Sequence, residues 1–435
     1  MAQKRDMFDD IIDITKGLSG ITEPFSDLTN AFLGNPEPEE REWNPADYKE
    51  KPRANALSCL ACRSTKSSCR ACVKICPVNA IEIEDGGIDV LDSCRQCSLC
   101  TTSFLVPCRK CGLCAPVCPT ESIHGMKHRP KKFYDSVAAA AAAYETAYVT
   151  CTRALKRIPR ENEVVLGCVG EVTAETWFSI LMDFPNVSVY LPLDICENCR
   201  NAQGEELLGD AIATAEEWSG RPMGLEVDAK ELSCTKRREF ERKEYMDKIM
   251  KTTGLAVSKL NPATAAVTTV SQRIKDHTKK LSALERTLAT ATGTTSQRRR
   301  RVLTQGRQLL LSTLQAHPEL ASNVQVSTPV CDFEKCTLCG DCIEACPLHA
   351  CDITDSGRFA VESTYCVGCG LCAEVCETHA LTMVEHDAAE LVLPDPEAEK
   401  KAAEAAKAHE EAEKMKAEAK KKLSAALDRV EKLAD

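Results

Sequence analysis

Three stretches of this chain repeat one cysteine spacing, and that spacing limits the possible folds more than any other feature. "CRKCGLCAPVCP" holds Cys108, Cys111, Cys114 and Cys118. "CTLCGDCIEACP" holds Cys336, Cys339, Cys342 and Cys346, and "CVGCGLCAEVCE" holds Cys366, Cys369, Cys372 and Cys376. Each run is C-x2-C-x2-C-x3-C. Thiols this crowded make the loop wrap around something that binds sulfur. Small residues such as Gly112 and Ala115 let the backbone wrap closely and aim its amides at the sulfurs. A structural zinc would use two separated CxxC pairs instead.

The chain has 435 residues and 27 cysteines. It is long enough for two to four domains with real cores. Disulfide scaffolds are short, secreted and even in cysteine count, so that class is excluded. "MAQKRDMFDDIIDITKG" has no apolar leader region, and Asp9 and Asp10 fall where one would begin. The longest apolar run, "VAAAAAA" at 137–143, falls far short of the ~18 residues a bilayer span needs. We expect a cytoplasmic protein with reduced thiols, in an anaerobic setting. Cysteine used this heavily there points to metal. The net charge of −10 argues against nucleic acid as a main partner.

The runs resemble those of bacterial ferredoxins, in which three cysteines hold one [4Fe–4S] cluster and the fourth reaches a second. The two C-terminal runs, about 30 residues apart, have the arrangement of two-cluster ferredoxins. The resemblance implies crossed ligation: Cys336, Cys339, Cys342 and Cys376 on one cluster, and Cys366, Cys369, Cys372 and Cys346 on the other. Glu377 departs from the family, which has proline there. Cys331 and Cys351 fall outside the pattern and read as small buried hydrophobes.

An expanded module of the same kind is expected upstream. "SCLACRSTKSSCRACVKICP" supplies Cys69, Cys72 and Cys76, but Lys66 occupies the expected first position, with Cys59 and Cys62 just before it. Crossed ligation implies one cluster on Cys108, Cys111, Cys114 and Cys76. A second takes Cys69, Cys72 and Cys118 with either Cys59 or Cys62. The cysteine left over would complete the triplet Cys94, Cys97 and Cys100 as a third cluster or a structural zinc.

"LDICENCRN" adds an isolated pair, Cys196 and Cys199. "AYVTC" ends at Cys151, "VVLGC" at Cys168 and "VSVYLPLDIC" at Cys196. All three read as buried strands, with "TAETWFSILMDF" as a crossover helix. Strand, helix, strand implies a parallel sheet, whose carboxyl ends gather ligands. Four thiols would meet there: Cys151, Cys168, Cys196 and Cys199. The occupant would be a further [4Fe–4S] cluster or a zinc; the competing reading makes Cys151 and Cys168 plain core residues. No GxGxxG or GxxxxGK[ST] follows these strands, so nucleotide binding has no support. The layout resembles bacterial iron–sulfur proteins in which a ferredoxin module precedes a small cysteine-bearing α/β domain.

The expected fold class is α+β multidomain. Residues 1–56 form an extension, 57–130 the expanded module and 131–235 the α/β domain. Residues 236–325 form a helical hairpin, 326–388 the two-cluster module and 389–435 a charged helix. The hairpin rests on a seam through Val267, Val270, Ile274, His277, Leu281, Leu284 and Leu288. Ser296 would cap its second helix, which begins with "RRRR" at 298–301 and carries Val302, Leu309, Leu310 and Leu314. His124, His349 and His379 each follow a cluster motif and read as packing or hydrogen-bonding residues rather than ligands. No Ser/His/Asp set or paired-carboxylate motif is present.

Four to six [4Fe–4S] clusters in one chain imply a polyferredoxin that relays electrons within a hetero-oligomeric oxidoreductase complex. Its partners would be flavoprotein, hydrogenase, dehydrogenase or reductase subunits. The alternatives are a reductase with its substrate at the α/β centre, and an iron–sulfur scaffold protein.

Overall fold

The computed structural model describes residues 42–91, 108–238, 301–354 and 356–392. The extension at 1–41, the triplet Cys94, Cys97 and Cys100, the seam from Val267 to Leu288, Ser296 and the charged tail from 393 lie outside the described residues. Every element below belongs to the larger of two compact units, Pro45–Leu155 with Pro159–Asp435. The smaller comprises Met1–Asn44 with Lys156–Ile158, and its described stretches are irregular.

In the first cysteine-rich segment, β1 (Arg53–Ala54) leads to two short helices, α1 (Leu60–Arg63) and α2 (Ala71–Ile75). A hairpin of β2 (Ile81–Glu84) and β3 (Gly87–Val90) follows. Its two-residue turn, Asp85 and Gly86, has φ of 48° and 73°. Positive φ at both positions is the type I′ turn that matches strand twist, and Asp-Gly adopts it readily. The chain returns as β4 (Ile123–His124), antiparallel to β1. Cys72, Ile81, Val90, Cys114 and Ile123 form the core.

The parallel unit begins with α3 (Pro130–Ala143), whose proline sits at the first helical position. Its fixed φ suits that position and its missing N–H costs nothing there. Then come β5 (Ala147–Cys151), α4 (Thr152–Leu155), β6 (Glu163–Leu166), α5 (Ala174–Asp183), β7 (Val187–Tyr190), α6 (Gln203–Ser219) and β8 (Gly224–Glu226). All strand pairs are parallel, in the order β6-β5-β7-β8. The fourth strand has no counterpart in the sequence reading. The third ends at Tyr190, well short of Cys196. Pro192 has no N–H to extend a ladder, and a loop carries the pair instead.

The first helix of the expected hairpin lies outside the described residues, and α7 (Gln305–Ala316) places the start of the expected second helix later than "RRRR" at 298–301. It starts at Gln305, with the Thr304 side chain accepting from Arg307 N. Val302 precedes the helix and is exposed. Leu309, Leu310 and Leu314 are buried, and the helix packs on α5 and α3. Thr313 donates to Ser179 of α5 at 2.8 Å. Arg301 does not begin a solvated helical face. It approaches Asp352 at 3.7 Å and Glu362 at 3.8 Å, and lies over the Tyr365 ring.

The second cysteine-rich segment runs β9 (Gln325–Cys331), α8 (Asp341–Ala345), β10 (Cys351–Ile353), β11 (Phe359–Val361), α9 (Leu371–Val375) and β12 (Leu381–Asp387). β9 pairs antiparallel with β12 and β10 with β11. The fold is therefore mixed helix and strand, with several small sheets. Leu60 of α1 packs with Ala345, Leu371 and Val375, joining the two cysteine-rich segments.

Candidate metal centres

The two C-terminal runs surround two hollows. One, about 420 Å³, is lined by Cys336, Cys339, Cys342 and Cys376. The other, about 350 Å³, is lined by Cys346, Cys366, Cys369 and Cys372, with Cys351 added. Each hollow takes three thiols from one run and the last thiol of the other. The loops turn through left-handed residues: Leu338 at φ 57°, Gly340 at 87°, Gly368 at 66° and Gly370 at 76°. At Gly368 a Cβ would also lie 2.9 Å from the Ser327 carbonyl oxygen, so only glycine suits this corner. Backbone amides serve the sulfurs: Ala350 N donates to Cys346 Sγ and Ala380 N to Cys376 Sγ, both at 3.3 Å.

Burial and the neighbouring Cys372 and Cys339 thiols push Cys342 up to about 12. Burial drives Cys369 to about 12 as well, with Cys346, Cys372 and Cys366 adding to it. Such crowding disfavours bare thiolates and is relieved by a bound cation or cluster. Two further cysteines stand close. Burial pushes Cys331 up to about 11, and its hydrogen bond with Cys336 adds to this. Cys351 is hydrogen-bonded to both Cys346 and Cys372. Its bond holds Cys346 down to about 6 and lowers Cys372. Spacing gave no sign of these two contacts, because both cysteines lie on flanking strands.

In the first segment a hollow of about 330 Å³ is lined by Cys76, Cys108, Cys111 and Cys114. Ala80 N donates to Cys76 Sγ at 3.3 Å and Lys110 N to Cys108 Sγ at 3.4 Å. A second set gathers around Cys72, pushed to about 11 by burial and by Cys118, Cys59 and Cys69. Cys62 hydrogen-bonds Cys59 and also feels Cys72, and burial lifts it to about 11. Both candidates for the fourth position thus lie at the same site.

In the parallel unit Cys151 closes β5, Cys168 lies just beyond β6, and Cys196 and Cys199 sit in the loop after β7. Burial raises Cys151, with Cys199 contributing. Burial lifts Cys196 to about 11, with Glu205, Cys151 and Cys199 contributing. Cys168 is pushed far up by burial, and both Cys151 and Cys111 add to it. The four thiols therefore converge at the carboxyl edge of the sheet. Asn201 N donates to Cys199 Sγ at 3.5 Å. Cys234 is exposed and stands apart from these sets.

Two glycines build this site, and nothing in the local sequence marks them. A Cβ on Gly170 would fall 2.4 Å from the Gly204 carbonyl oxygen, and one on Gly204 would fall 2.4 Å from Cys168 Sγ. Of the histidines that follow the cluster motifs, His124 hydrogen-bonds the Glu121 carbonyl through Nδ1 at 3.0 Å.

Among the described residues no three His, Cys, Asp or Glu side chains close tightly enough to share one metal ion. Four thiolates on one zinc would sit about 3.8 Å apart, from bonds of ~2.3 Å in a tetrahedron. Three of the sets, the two C-terminal ones and Cys76, Cys108, Cys111 and Cys114, ring hollows instead, and with amide donors aimed at sulfur they fit a cluster of several atoms.

Residues 335–381 match the family model described as a 4Fe-4S dicluster domain. No curated protein and no solved structure matches the chain. The C-terminal segment is a ferredoxin-like iron–sulfur domain, and no described helix is long and apolar enough to cross a membrane.

Proposed function

We propose that this protein is a polyferredoxin, a multi-centre electron-transfer subunit of a cytoplasmic oxidoreductase complex. The observation that carries the reading is that the thiol sets adjoin one another in series. Cys69 packs in one apolar cluster with Cys342 and Cys369, linking the first segment to both C-terminal hollows. The Cys72 thiol contributes to the charge environment of Cys114, joining the two sets of the first segment. Cys111 does the same for Cys168 in the parallel unit. In addition, Arg109 Nη1 donates to the Arg200 carbonyl at 2.7 Å beside the Cys196–Cys199 loop.

[4Fe–4S] clusters would be held by Cys336, Cys339, Cys342 and Cys376, by Cys346, Cys366, Cys369 and Cys372, and by Cys76, Cys108, Cys111 and Cys114. Others would be held by Cys69, Cys72 and Cys118 with Cys59 or Cys62, and by Cys151, Cys168, Cys196 and Cys199. When bound, such clusters accept and release single electrons. The protein fixes their spacing and supplies amides that tune them. A flavoprotein, hydrogenase, dehydrogenase or reductase subunit would exchange electrons with the ends of the series.

Iron, sulfide and zinc per chain on anaerobically purified protein test this. About 20 irons correspond to five clusters, and about 24 to six if Cys94, Cys97 and Cys100 hold one. About 16 irons with one zinc would make the parallel-unit site structural and end the series at the first segment. A second reading, substrate reduction at the parallel-unit centre, draws on the exposed loop beside Cys196, where Leu193 is 76% exposed. It predicts that Cys199→Ser keeps nearly all iron yet abolishes turnover. Loss of about four irons in that variant counts against it.

A further inference from the structure

Helix α7 buries a cation where nothing in an apolar packing face calls for one. Arg307, its third residue, is 3% exposed. Charged side chains are almost never buried this deeply unless paired, and a cation in the first turn opposes the helix dipole. Its Nη2 donates to the carbonyl of Cys366. Its Nε is buried without a hydrogen-bond partner among the described residues. The groups that favour its charge are Glu175 of α5 and the Cys366 thiol.

The surrounding anions are unevenly placed. Glu121 neighbours Glu175. Its two oxygens already accept from the N–H groups of Gln305 and Gly306, at 2.9 and 2.6 Å. Burial pushes the Glu175 carboxyl up, against the pull of Arg307. The guanidinium therefore has one cysteine of the second C-terminal hollow on one side and a single carboxyl on the other.

We propose that Arg307 sets the reduction potential of the centre held by Cys346, Cys366, Cys369 and Cys372, raising it. The inference rests on the electron-transfer reading. Reduction of a cluster held there would add one electron to its core, with no bond broken and no proton moved. A fixed cation in a low-dielectric site, one hydrogen bond from a ligand residue, stabilises that added charge without reorganising. Arg307 is a positioning residue for charge, and it does not ligate.

The test is a reductive titration of full-length holoprotein with dithionite, followed by electron paramagnetic resonance. Cys366→Ser first identifies the signal of this centre. If that variant alters neither iron content nor any signal, the centre and the inference both fall. Arg307→Gln is expected to lower the midpoint of that signal alone, by at least a tenfold change in the one-electron equilibrium, about 59 mV. Arg307→Lys, which keeps the charge, should shift it less. Should Arg307→Gln not accumulate as holoprotein, Glu175→Gln decides, and an upward shift of the same signal is expected. An unchanged midpoint in a folded, iron-replete variant overturns the role of Arg307 and leaves the electron-transfer reading standing.

Discussion

Gly170→Ala tests whether backbone contact, rather than side-chain packing, assembles the parallel-unit centre. Gly170 is buried in the turn beyond Cys168. An added Cβ would lie 2.4 Å from the Gly204 carbonyl oxygen, 2.8 Å from its Cα and 3.0 Å from its carbonyl carbon. Ordinary contact begins at 3.4 Å, so α6 must retreat by 3.4 − 2.4 = 1.0 Å. All three atoms are backbone, and none rotates away. Overpacking of this kind costs ~1–3 kcal/mol, and rigid neighbours place it at the upper end. The compact unit holding this contact, Pro45–Leu155 with Pro159–Asp435, is larger than the size at which 1 kcal/mol shifts melting by roughly 2–4 °C, so melting should fall by only about 4–6 °C. The loop of Cys196 and Cys199 leads directly into α6, so the proposed cluster there would leave with the displaced helix, a loss of about four irons. Gly209, also on α6, has nothing within 4 Å of its would-be Cβ. Gly209→Ala should stabilise by ~1 kcal/mol through helix propensity and keep all iron. Anaerobic thermal scans with iron counts on both variants decide. A Gly170→Ala protein that melts with wild type and keeps its iron refutes the reasoning.

Trp177 is fully buried and meets Phe133 edge-on at 5.9 Å. Trp177→Ala should cost ~3–5 kcal/mol in chemical denaturation, and a loss below ~1 kcal/mol would deny it a core role. Burial pushes the His128 imidazole below its ordinary value, outweighing Glu50. The unfolded chain then binds a proton that the folded one refuses. This contribution is whole above about pH 6.5 and is lost as pH falls below it. His128→Gln should flatten the drop in melting temperature between about pH 7.5 and about pH 5.5, and an unchanged slope would contradict this. Arg301→Ala removes two part-exposed ion pairs, at 3.7 and 3.8 Å. It should cost only ~0.2–1 kcal/mol, and less at high salt; a salt-independent loss would point to its Tyr365 contact instead.

Legibility in the sequence followed the range of the interactions. The cysteine runs could be read because each loop carries its thiols within a few residues. The β5 strand and crossover helix α5 could be read because their apolar periods are local. The end of the third strand at Tyr190 is not legible, since the apolar "LPLDI" continues the strand pattern while Pro192 removes the ladder's donor. The packing of α7 on α5 is not legible, because an apolar stripe does not name its partner. Leu310 and Leu314 suit a hairpin seam as well as they suit α5. Gly170 against Gly204, Cys351 against Cys346 and Cys372, and Arg307 against Cys366 are contacts between distant segments. No periodicity or spacing encodes these.

The two departures from the ferredoxin pattern show how far the sequence could be pressed. Lys66 stands where a cysteine was expected, and Glu377 where a proline was expected. Taken singly, each was a local exception. In the fold Lys66 Nζ meets Glu377 Oε1 at 2.7 Å, and the pairing raises the lysine and lowers the carboxylate from their ordinary values. One residue lies beside each cysteine-rich segment's irregular corner, so the exceptions are partners across the joint. Neighbouring contacts repeat the arrangement. Ser68 Oγ donates to Glu374 at 2.6 Å, and Arg63 donates to the carbonyls of Glu344 and Ala345. Those carbonyls end α8, where a cation satisfies unpaired acceptors and complements the helix dipole. The next residue is Cys346, a liner of the second hollow. An exposed ion pair alone adds little to stability. Placed beside a capped helix end and the apolar contact of Leu60 with Leu371, it acts on register instead. It would fix which face of one segment meets the other, and in the proposed relay electron transfer across that joint would depend on that alignment. Reversing the pair, with Lys66→Glu and Glu377→Lys together, should restore electron flow that either single change slows. Failure of the double variant to recover would remove register as the explanation.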